Sequence, residues 1–465
     1  MASEPLYRPP APVPKSPLRS LLRMLREGDG NLLSLVPADA YRKRITPLGY
    51  SRRSIILVND PAAIREVMTD PLAIFPKNDL FVGALGPLVG DSIFVSEGAT
   101  WQRQRDMIDP AFSHMRIDQS FAAMSEAVDA CETTLAAAAI NRTAVSLDLT
   151  MSQLTADVIC RTIFSQPLLP ERASAVFDAF SEFERSVASV SAVPLLAGKP
   201  WATVDQPQRM LDACARIRSY IGELVDPRLA ADSQDHASKD ILAAVMTARD
   251  AQSGQAFSRS ELIDQIGVFF LAGHETTASA LTWAFYILAQ QPNTLARLRA
   301  EVDALAGTGP ITLEHIKQLR FTRSIFREVL RLYPPITFIP RVAAESTTIA
   351  GVRIKRGAMV MISPWATHRN ALLWRDADRF DPQRFDTEKQ SGDSEATGPF
   401  LTFGMGPRVC VGIAFATMES SLILARLCRS FDIVPQDPAT VRPIARLTTR
   451  PAHPIQVRIQ ARRPS

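Results

Sequence analysis

The stretch Phe403-Gly-Met-Gly-Pro-Arg-Val-Cys410-Val-Gly412 decides the fold predicted for this 465-residue chain. Three glycines and one proline within ten residues predict a tight, irregular loop. Cys410 lies at the end of this loop, immediately before a helix predicted at 412–429. The positive end of that helix and the charge of Arg408 both favour a thiolate over a thiol. On its own, a cysteine in such a turn more often has only a structural role.

A second informative stretch predicts a long buried helix. Ser258-Arg-Ser-Glu261 is a capping box, and Pro292 stops the helical pattern after Gln291. About 33 residues at 1.5 Å each give a helix of roughly 50 Å. Its centre carries Ala272-Gly-His-Glu-Thr-Thr277. The glycine and the two threonines are weak helix formers, and they predict either a kinked core helix or a functional distortion.

The cysteine loop resembles the haem-binding loop of the cytochrome P450 family at every defined position. The resemblance implies that haem b is held by Cys410 as the axial iron ligand, whose electron density favours O–O cleavage. It extends over about 55–459, with the motifs in the family order. The matching residues are Phe403, Gly404, Gly406, Arg408, Cys410 and Gly412, followed by Ala416 and Glu419.

Three more motifs resemble that family. Glu275-Thr276 resembles its oxygen-activation motif, which implies that Thr276 holds a water and Glu275 relays protons. A carboxyl group in an apolar helix should also have a perturbed pKa. Trp101-Gln-Arg-Gln-Arg105 resembles a haem-propionate motif. Singly, each of these residues is more simply explained as a surface arginine or a core tryptophan, but together they favour haem; the expected donors are Trp101, Arg105, Arg341 and Arg408.

Glu328-Val-Leu-Arg331 forms the remaining motif. Residues three apart share a helix face, so an exposed ion pair of little energetic value is the simplest interpretation. The family resemblance instead implies a buried network with Arg384, in Phe380-Asp-Pro-Gln-Arg384-Phe385, that braces the cysteine loop. We expect this network to be structural.

Hydrophobic periodicity predicts a mainly α fold with a smaller β region (α+β). We expect a strand at Ile55–Val58, a loop at 80–98, helices over 101–305 with a break near 192–206, and a small sheet at 336–364. Residues 376–403 are predicted to be irregular. A proline-rich arm at 1–40 precedes a single predicted domain at 41–465.

Composition limits the possible partners and compartments. A net charge of +4 with 22% charged residues, and no run of basic residues, argues against nucleic acid. Five widely spaced cysteines favour a reducing compartment. The sequence contains neither a signal segment nor an apolar run of about 20 residues that could span a membrane. We therefore expect a soluble, cytoplasmic monomer.

The resemblance implies a monooxygenase that inserts one atom of dioxygen into an apolar terpenoid, steroid, fatty acid or alkane. The chain ends at Ser465 without a predicted reductase, so electrons from NAD(P)H are expected through a separate ferredoxin or flavodoxin with its reductase. Arg103 and Arg116 are candidates for attracting such an acidic partner. The predicted substrate pocket comprises 192–196 together with Phe81, Val82, Leu85, Gln265, Val268, Phe269, Ala272, Ile336, Phe338 and Ile339.

Three alternatives remain open at this point. A peroxide-driven haem-thiolate enzyme would usually lack the acid–alcohol pair. A non-catalytic haem sensor would bind ligands without turnover. A hydrolase with Cys410 as nucleophile would need a base such as His453 or His368, neither of which has supporting sequence context.

Overall fold

The computed structural model describes residues 6–16, 19–20, 22–23, 31–48, 54–70, 73–168, 178–184, 186, 206–230, 240–386 and 398–462. The predicted break near 192–206 lies outside these residues up to residue 205, and so does the predicted pocket segment 192–196. No helix in the described part of the chain is long and apolar enough to span a membrane.

Helices dominate the described chain, and the β region is smaller, as the sequence predicts. The helices before the long central one are α1 (Pro61–Thr69), α2 (Asp79–Val89), α3 (Gly98–Ile108), α4 (His114–Gln119), α5 (Phe121–Asn141), α6 (Leu147–Phe164), α7 (Gln208–Ala230) and α8 (Ile241–Thr247). The remaining helices are α9 (Arg259–Ala289), α10 (Pro292–Ala306), α11 (Leu313–Gln318), α12 (Arg320–Leu332), α13 (Pro364–Thr367) and α14 (Ile413–Ser430).

The strands form small sheets around the helical body. One sheet has the order β1 (Ile45–Leu48), β2 (Ile55–Val58), β7 (Met359–Ile362), β4 (Ile339–Val342), with β2 and β7 parallel and the other pairs antiparallel. The second has the order β3 (Ala144–Ser146), β11 (Gln456–Ala461), β8 (Phe431–Pro435). Two hairpins complete the set: β5 (Thr347–Ile349) with β6 (Val352–Ile354), and β9 (Pro443–Ala445) with β10 (Thr449–Pro451).

The central helix α9 forms as predicted, with Ser258 as its N-cap and the complete capping box with Glu261. It is continuous through the predicted distortion. Gly273 lies against α6: a Cβ there would lie 2.4 Å from Ile159 Cδ1, so a larger residue would displace the Ile159 side chain. The helix is thus fixed by packing along its length.

The predicted loop at 80–98 is wrong for its first half, which is helix α2. Leu85, Leu88 and Val89 are buried in the main core, and this packing outweighs the weak helix propensity of the segment. Pro87 lies inside the helix and cannot donate to the carbonyl of Gly83. The side chain of Gln206 donates to that carbonyl instead, at 2.6 Å.

Part of the predicted N-terminal arm packs against the helical body. Leu33 and Leu35 are buried in the same core cluster as α9. The hydroxyl of Tyr333 donates to the carbonyl of Pro10 at 2.6 Å. Residues before the predicted domain start at residue 41 therefore also belong to the packed region.

Candidate active site

Backbone geometry fixes the loop that carries Cys410. Gly404 and Gly406 have φ angles of +76° and +70°, in the left-handed region that favours glycine. A Cβ at Gly406 would also lie 2.9 Å from the carbonyl oxygen of Met68 on α1. The backbone N–H of Cys410 donates to the carbonyl of Phe403 at 2.8 Å, which closes the loop two residues before the N-cap of α14.

The side chain of Cys410 faces an enclosed space. Cys410 is exposed, because neighbouring residues leave room beside it. Yet burial by the surrounding protein raises the pKa of its thiol, against the opposing effects of the Gly412 N–H and the charge of Arg105. A residue that is both accessible and desolvated borders an internal cavity rather than open solvent. Arg105, and not the predicted Arg408, supplies the charge that favours the thiolate.

The central helix has one accessible stripe. Between Leu262 and Leu288 every residue is buried except Ala272, Gly273 and Thr276. Because α9 also packs against α14, we infer that this stripe faces the space bordered by Cys410. The helix thus presents a small, apolar surface and one hydroxyl to that space.

Three cations gather at one edge of the site, although they repel one another. Burial lowers the pKa of Lys77 to about 6, and the charges of Arg408 and Arg341 contribute to the shift. Burial and Arg408 likewise lower the pKa of Arg341 to about 10. Glu97 is an acidic neighbour acting on all three. The cluster therefore has excess buried positive charge, which the two carboxylates of a haem would neutralise.

Trp101 and Arg105 connect this cluster to the cysteine loop. The Arg408 guanidinium lies 4.4 Å from the centre of the Trp101 ring. Arg105 forms an ion pair with Asp109 at 2.6 Å and donates to the carbonyl of Val409 at 2.7 Å. Arg105 thus holds the loop backbone in place. Together with the space beside Cys410, these donors fit a haem with two propionates.

Lys77 should make the stability of the haem-free protein depend on pH. Its folded-state pKa of about 6 lies below the ordinary 10.5, so the unfolded chain binds more protons between these values. The free energy of unfolding therefore rises with pH between these two values. Below about pH 6 the folded protein carries the full cost of burying the charged lysine. We expect the urea midpoint of haem-free protein to increase from about pH 6 to about pH 9, and Lys77→Met to flatten this increase.

The exposed lysine at Lys355 provides the control, since Lys355→Met should keep the wild-type slope. Haem binding should itself reduce the slope, because propionates stabilise the charged lysine. An unchanged slope in Lys77→Met would contradict the assignment of this buried cation.

Glu328, Arg331 and Arg384 come together in the interior. Arg331 contacts both carboxylate oxygens of Glu328 at 2.7 Å, and Arg384 Nε lies 3.3 Å from Glu328 Oε1. The side chains of Glu328 and Arg331 are both 0% exposed, which excludes the exposed ion pair. Arg331 also donates to the carbonyls of His368, Ala377 and Arg379.

Glu275 and Thr276 are adjacent in sequence but bond to different partners. The Thr276 hydroxyl donates to the Ala272 carbonyl at 2.5 Å. Glu275 accepts hydrogen bonds from Thr448 at 2.7 Å and from the Arg450 guanidinium. Burial alone would raise the pKa of Glu275, but the charge of Arg450 lowers it below its usual range. The pKa of Glu275 is therefore perturbed, as predicted. Arg450, which the sequence pattern did not reveal, sets the direction of the shift.

The predicted pocket residues fall into two groups. Gln265 accepts the backbone N–H of Ile93 at 3.1 Å, and Phe269 packs edge-on against Phe112 with ring centres 5.1 Å apart. With Leu85 and Val268, these side chains are buried against protein, so they contribute no accessible lining in this geometry. The predicted pocket residues that are partly accessible are Phe81, Val82, Ala272, Ile336, Phe338 and Ile339.

Arg103 does not match the predicted docking role. Its Nη1 lies 2.6 Å from Glu261 Oε1 at the start of α9, and its guanidinium also lies 5.4 Å from the ring of Phe257. Both side chains of this ion pair are partly exposed, so Glu261 offsets the charge that Arg103 presents at the surface. Arg116 lies on α4, which packs against α14, the helix after Cys410.

Sequence reasoning missed Lys77, Arg450, Thr448 and Glu184. The contact between Arg450 and Glu275 spans 175 positions, and no local pattern marks either partner. Lys77 likewise meets Arg341 through a bridge between distant chain segments. These residues become visible only when the fold places them together.

Comparisons with known proteins agree with this geometry. A family model described as Cytochrome P450 matches residues 13–459. Cyclooctatin synthase from Streptomyces melanosporofaciens is 33% identical over 360 residues, which cover 77% of this chain and 76% of the relative. Cyclooctat-9-en-7-ol 5-monooxygenase from the same organism is 30% identical over 424 residues, covering 90% and 86%. A solved structure, "Crystal structure of cytochrome P450DA heme domain", matches with a TM-score of 0.79 at 22% identity, covers 99% of each chain, and shows the shared fold.

Proposed function

The chain belongs to the cytochrome P450 family and is a haem monooxygenase, and from this premise we propose that it oxygenates a mainly hydrocarbon terpenoid. The partly accessible pocket residues are apolar, which suits a substrate with few polar groups. The relative named for cyclooctat-9-en-7-ol acts, by that name, on an unsaturated alcohol. The apolar lining supports an apolar substrate, and the name of this relative supports the choice of a cyclic, unsaturated one.

The observation that carries the proposal is the accessible Cys410 thiol inside the protein, beside a helix that exposes Thr276. Haem bound through Cys410 supplies the iron that activates dioxygen. Arg408, Arg341 and Lys77 would bind the propionates as cations. Thr276 can turn its hydroxyl from the Ala272 carbonyl to hold a water, and Glu275 relays protons to that site.

Thr276→Ala tests the proton-delivery role of this hydroxyl. We expect the variant to keep its haem spectrum but to recover a much smaller fraction of the supplied electrons as oxygenated product. Thr282→Ala is the matched control, because Thr282 makes the same bond to its own helix, at 2.8 Å to Ala278. The measurement compares electron consumption with product for a panel of terpenoids. Equal coupling in both variants would refute the role of Thr276.

We also propose that a ferredoxin or flavodoxin delivers the electrons, ultimately from NAD(P)H. Arg116, on the face formed by α4 and α14, is the candidate contact for this acidic partner. Arg116→Glu should slow reduction by the partner several-fold at low salt, and the difference from wild type should shrink as salt screens the charges.

Arg356→Glu changes the net charge equally at an exposed turn between β6 and β7 and serves as the control. Stopped-flow reduction over a salt series distinguishes the two variants. Identical rates for Arg116→Glu and wild type at low salt would remove Arg116 from the docking surface.

A further inference from the structure

Arg450, on β10, contacts two carboxyl groups that belong to different helices. Its guanidinium is hydrogen-bonded to both carboxylate oxygens of Glu275 on α9. Its Nε also lies 3.6 Å from Glu184 Oε1, in the helical segment 178–184. The side chains of Glu184 and Glu275 are 14% and 4% exposed, so water screens little of their charge.

The other neighbours of Glu275 do not add a balancing cation. Thr448 contributes a neutral hydroxyl at 2.7 Å. His274 Nε2 lies 3.7 Å from Glu275 Oε2, but burial lowers the pKa of this imidazole, which favours its neutral form.

Two more distant groups act on the cluster with opposite charges. Arg446 acts on Glu184, and Asp148 acts on Arg450. Their effects oppose each other, so the centre keeps two carboxyl groups against one guanidinium. Two buried carboxyl groups that face each other cannot both ionise without a large energetic cost, and such pairs share a proton.

The asymmetry of the contacts indicates which carboxyl group holds the proton. Burial raises the pKa of Glu184 well above its usual range. The charge of Arg450 opposes this shift, whereas the charge of Glu275 and a hydrogen bond with it add to it. Glu275 has the closer contact with Arg450, which favours its ionised form. The closer contact of Arg450 with Glu275 therefore favours the proton on Glu184.

We propose that Glu184 and Glu275 form a carboxyl pair that shares one proton beside Arg450, and that Glu184 supplies this proton to Glu275. The inference rests on the proposed function, in which Glu275 relays protons towards Thr276. In the transfer, the O–H bond of Glu184 breaks and an O–H bond forms on Glu275. Arg450 then balances the carboxylate of Glu184, so neither state leaves a buried charge unpaired. Solvent returns a proton to Glu184 after Glu275 has passed its own on.

The infrared spectrum of the haem-loaded protein, recorded separately for each variant, tests the shared proton directly. We expect a protonated-carboxyl band in wild type that is missing from Glu184→Gln and present in Glu182→Gln. Glu182 is the matched control, since it lies in the same segment and accepts from Ser186 at 3.2 Å. The buried Glu419, whose pKa burial raises well above its usual range, should contribute a second band to every variant. A wild-type band that survives in Glu184→Gln would overturn the pair.

Turnover tests the supply of the proton. Glu184→Gln keeps the size and hydrogen-bonding capacity of the side chain but cannot release a proton in this step, so product formation should fall roughly tenfold or more. Its solvent deuterium isotope effect should increase, and the spectrum of the reduced, carbon-monoxide-bound protein should stay unchanged. If Glu184→Gln loses the infrared band but keeps the wild-type rate and isotope effect, Glu184 does not supply the proton to Glu275. Wild-type protein that loads haem but oxygenates nothing would instead refute the proposed function, while the infrared band still decides the pair.

Discussion

Cys410→Ala is expected to abolish oxygenation and to weaken haem retention. The loop places this sulfur at the edge of an internal space, where it would hold the iron of a bound haem. Alanine leaves the loop geometry intact, because the Cys410 N–H bond to the Phe403 carbonyl uses only the backbone. The loss should therefore reflect the missing ligand and not an unfolded loop. Haem content per chain and product formation measure the two effects.

Cys131→Ala provides the control for this experiment. Cys131 is partly accessible on α5, and burial raises the pKa of its thiol to about 12, so it is an unreactive structural cysteine. This variant should keep haem and activity. Wild-type haem content and turnover in Cys410→Ala would contradict the assigned role of the loop.

Arg331→Met is expected to produce the largest loss of stability among the substitutions considered. It leaves the fully buried Glu328 without its bidentate partner and three backbone carbonyls without their donor. Breaking a buried ion pair from one side costs about 3–5 kcal/mol. Arg331→Lys should also be strongly destabilising, because an ammonium group cannot reproduce these planar, divergent contacts.

Urea unfolding of the haem-loaded protein measures this loss. Arg320→Met, at the exposed start of the same helix, should change the free energy of unfolding by less than about 0.5 kcal/mol. A loss below about 1 kcal/mol for Arg331→Met would contradict the structural role of this buried network.

Local patterns explain what the sequence could predict. The capping box at Ser258 involves residues three apart, and the observed helix begins at Arg259 as expected. Glu328 and Arg331 are also three apart on one helix, so their pairing depends on helical geometry alone. The glycines of the cysteine loop have the positive φ angles that their type suggests. In each case the decisive interaction lies within a few residues.

Long-range packing explains what the sequence could not predict. Helix α2 forms despite Gly86 and Pro87, because its apolar residues are buried and Gln206 satisfies a freed carbonyl. Arg103 resembles a surface cation in the sequence, but the fold brings Glu261 to it across 158 positions. Arg450 carries no motif, yet it determines the charge state of Glu275. Tertiary contacts, rather than residue types, determine these outcomes.

The spectrum of the reduced, carbon-monoxide-bound protein tests the central claim most directly. Wild-type protein loaded with haem should show the red-shifted Soret band of a thiolate-ligated iron, and Cys410→Ala should lack it at equal haem content. A well-folded, haem-loaded wild type without that band, or a band that persists in Cys410→Ala, would contradict the account.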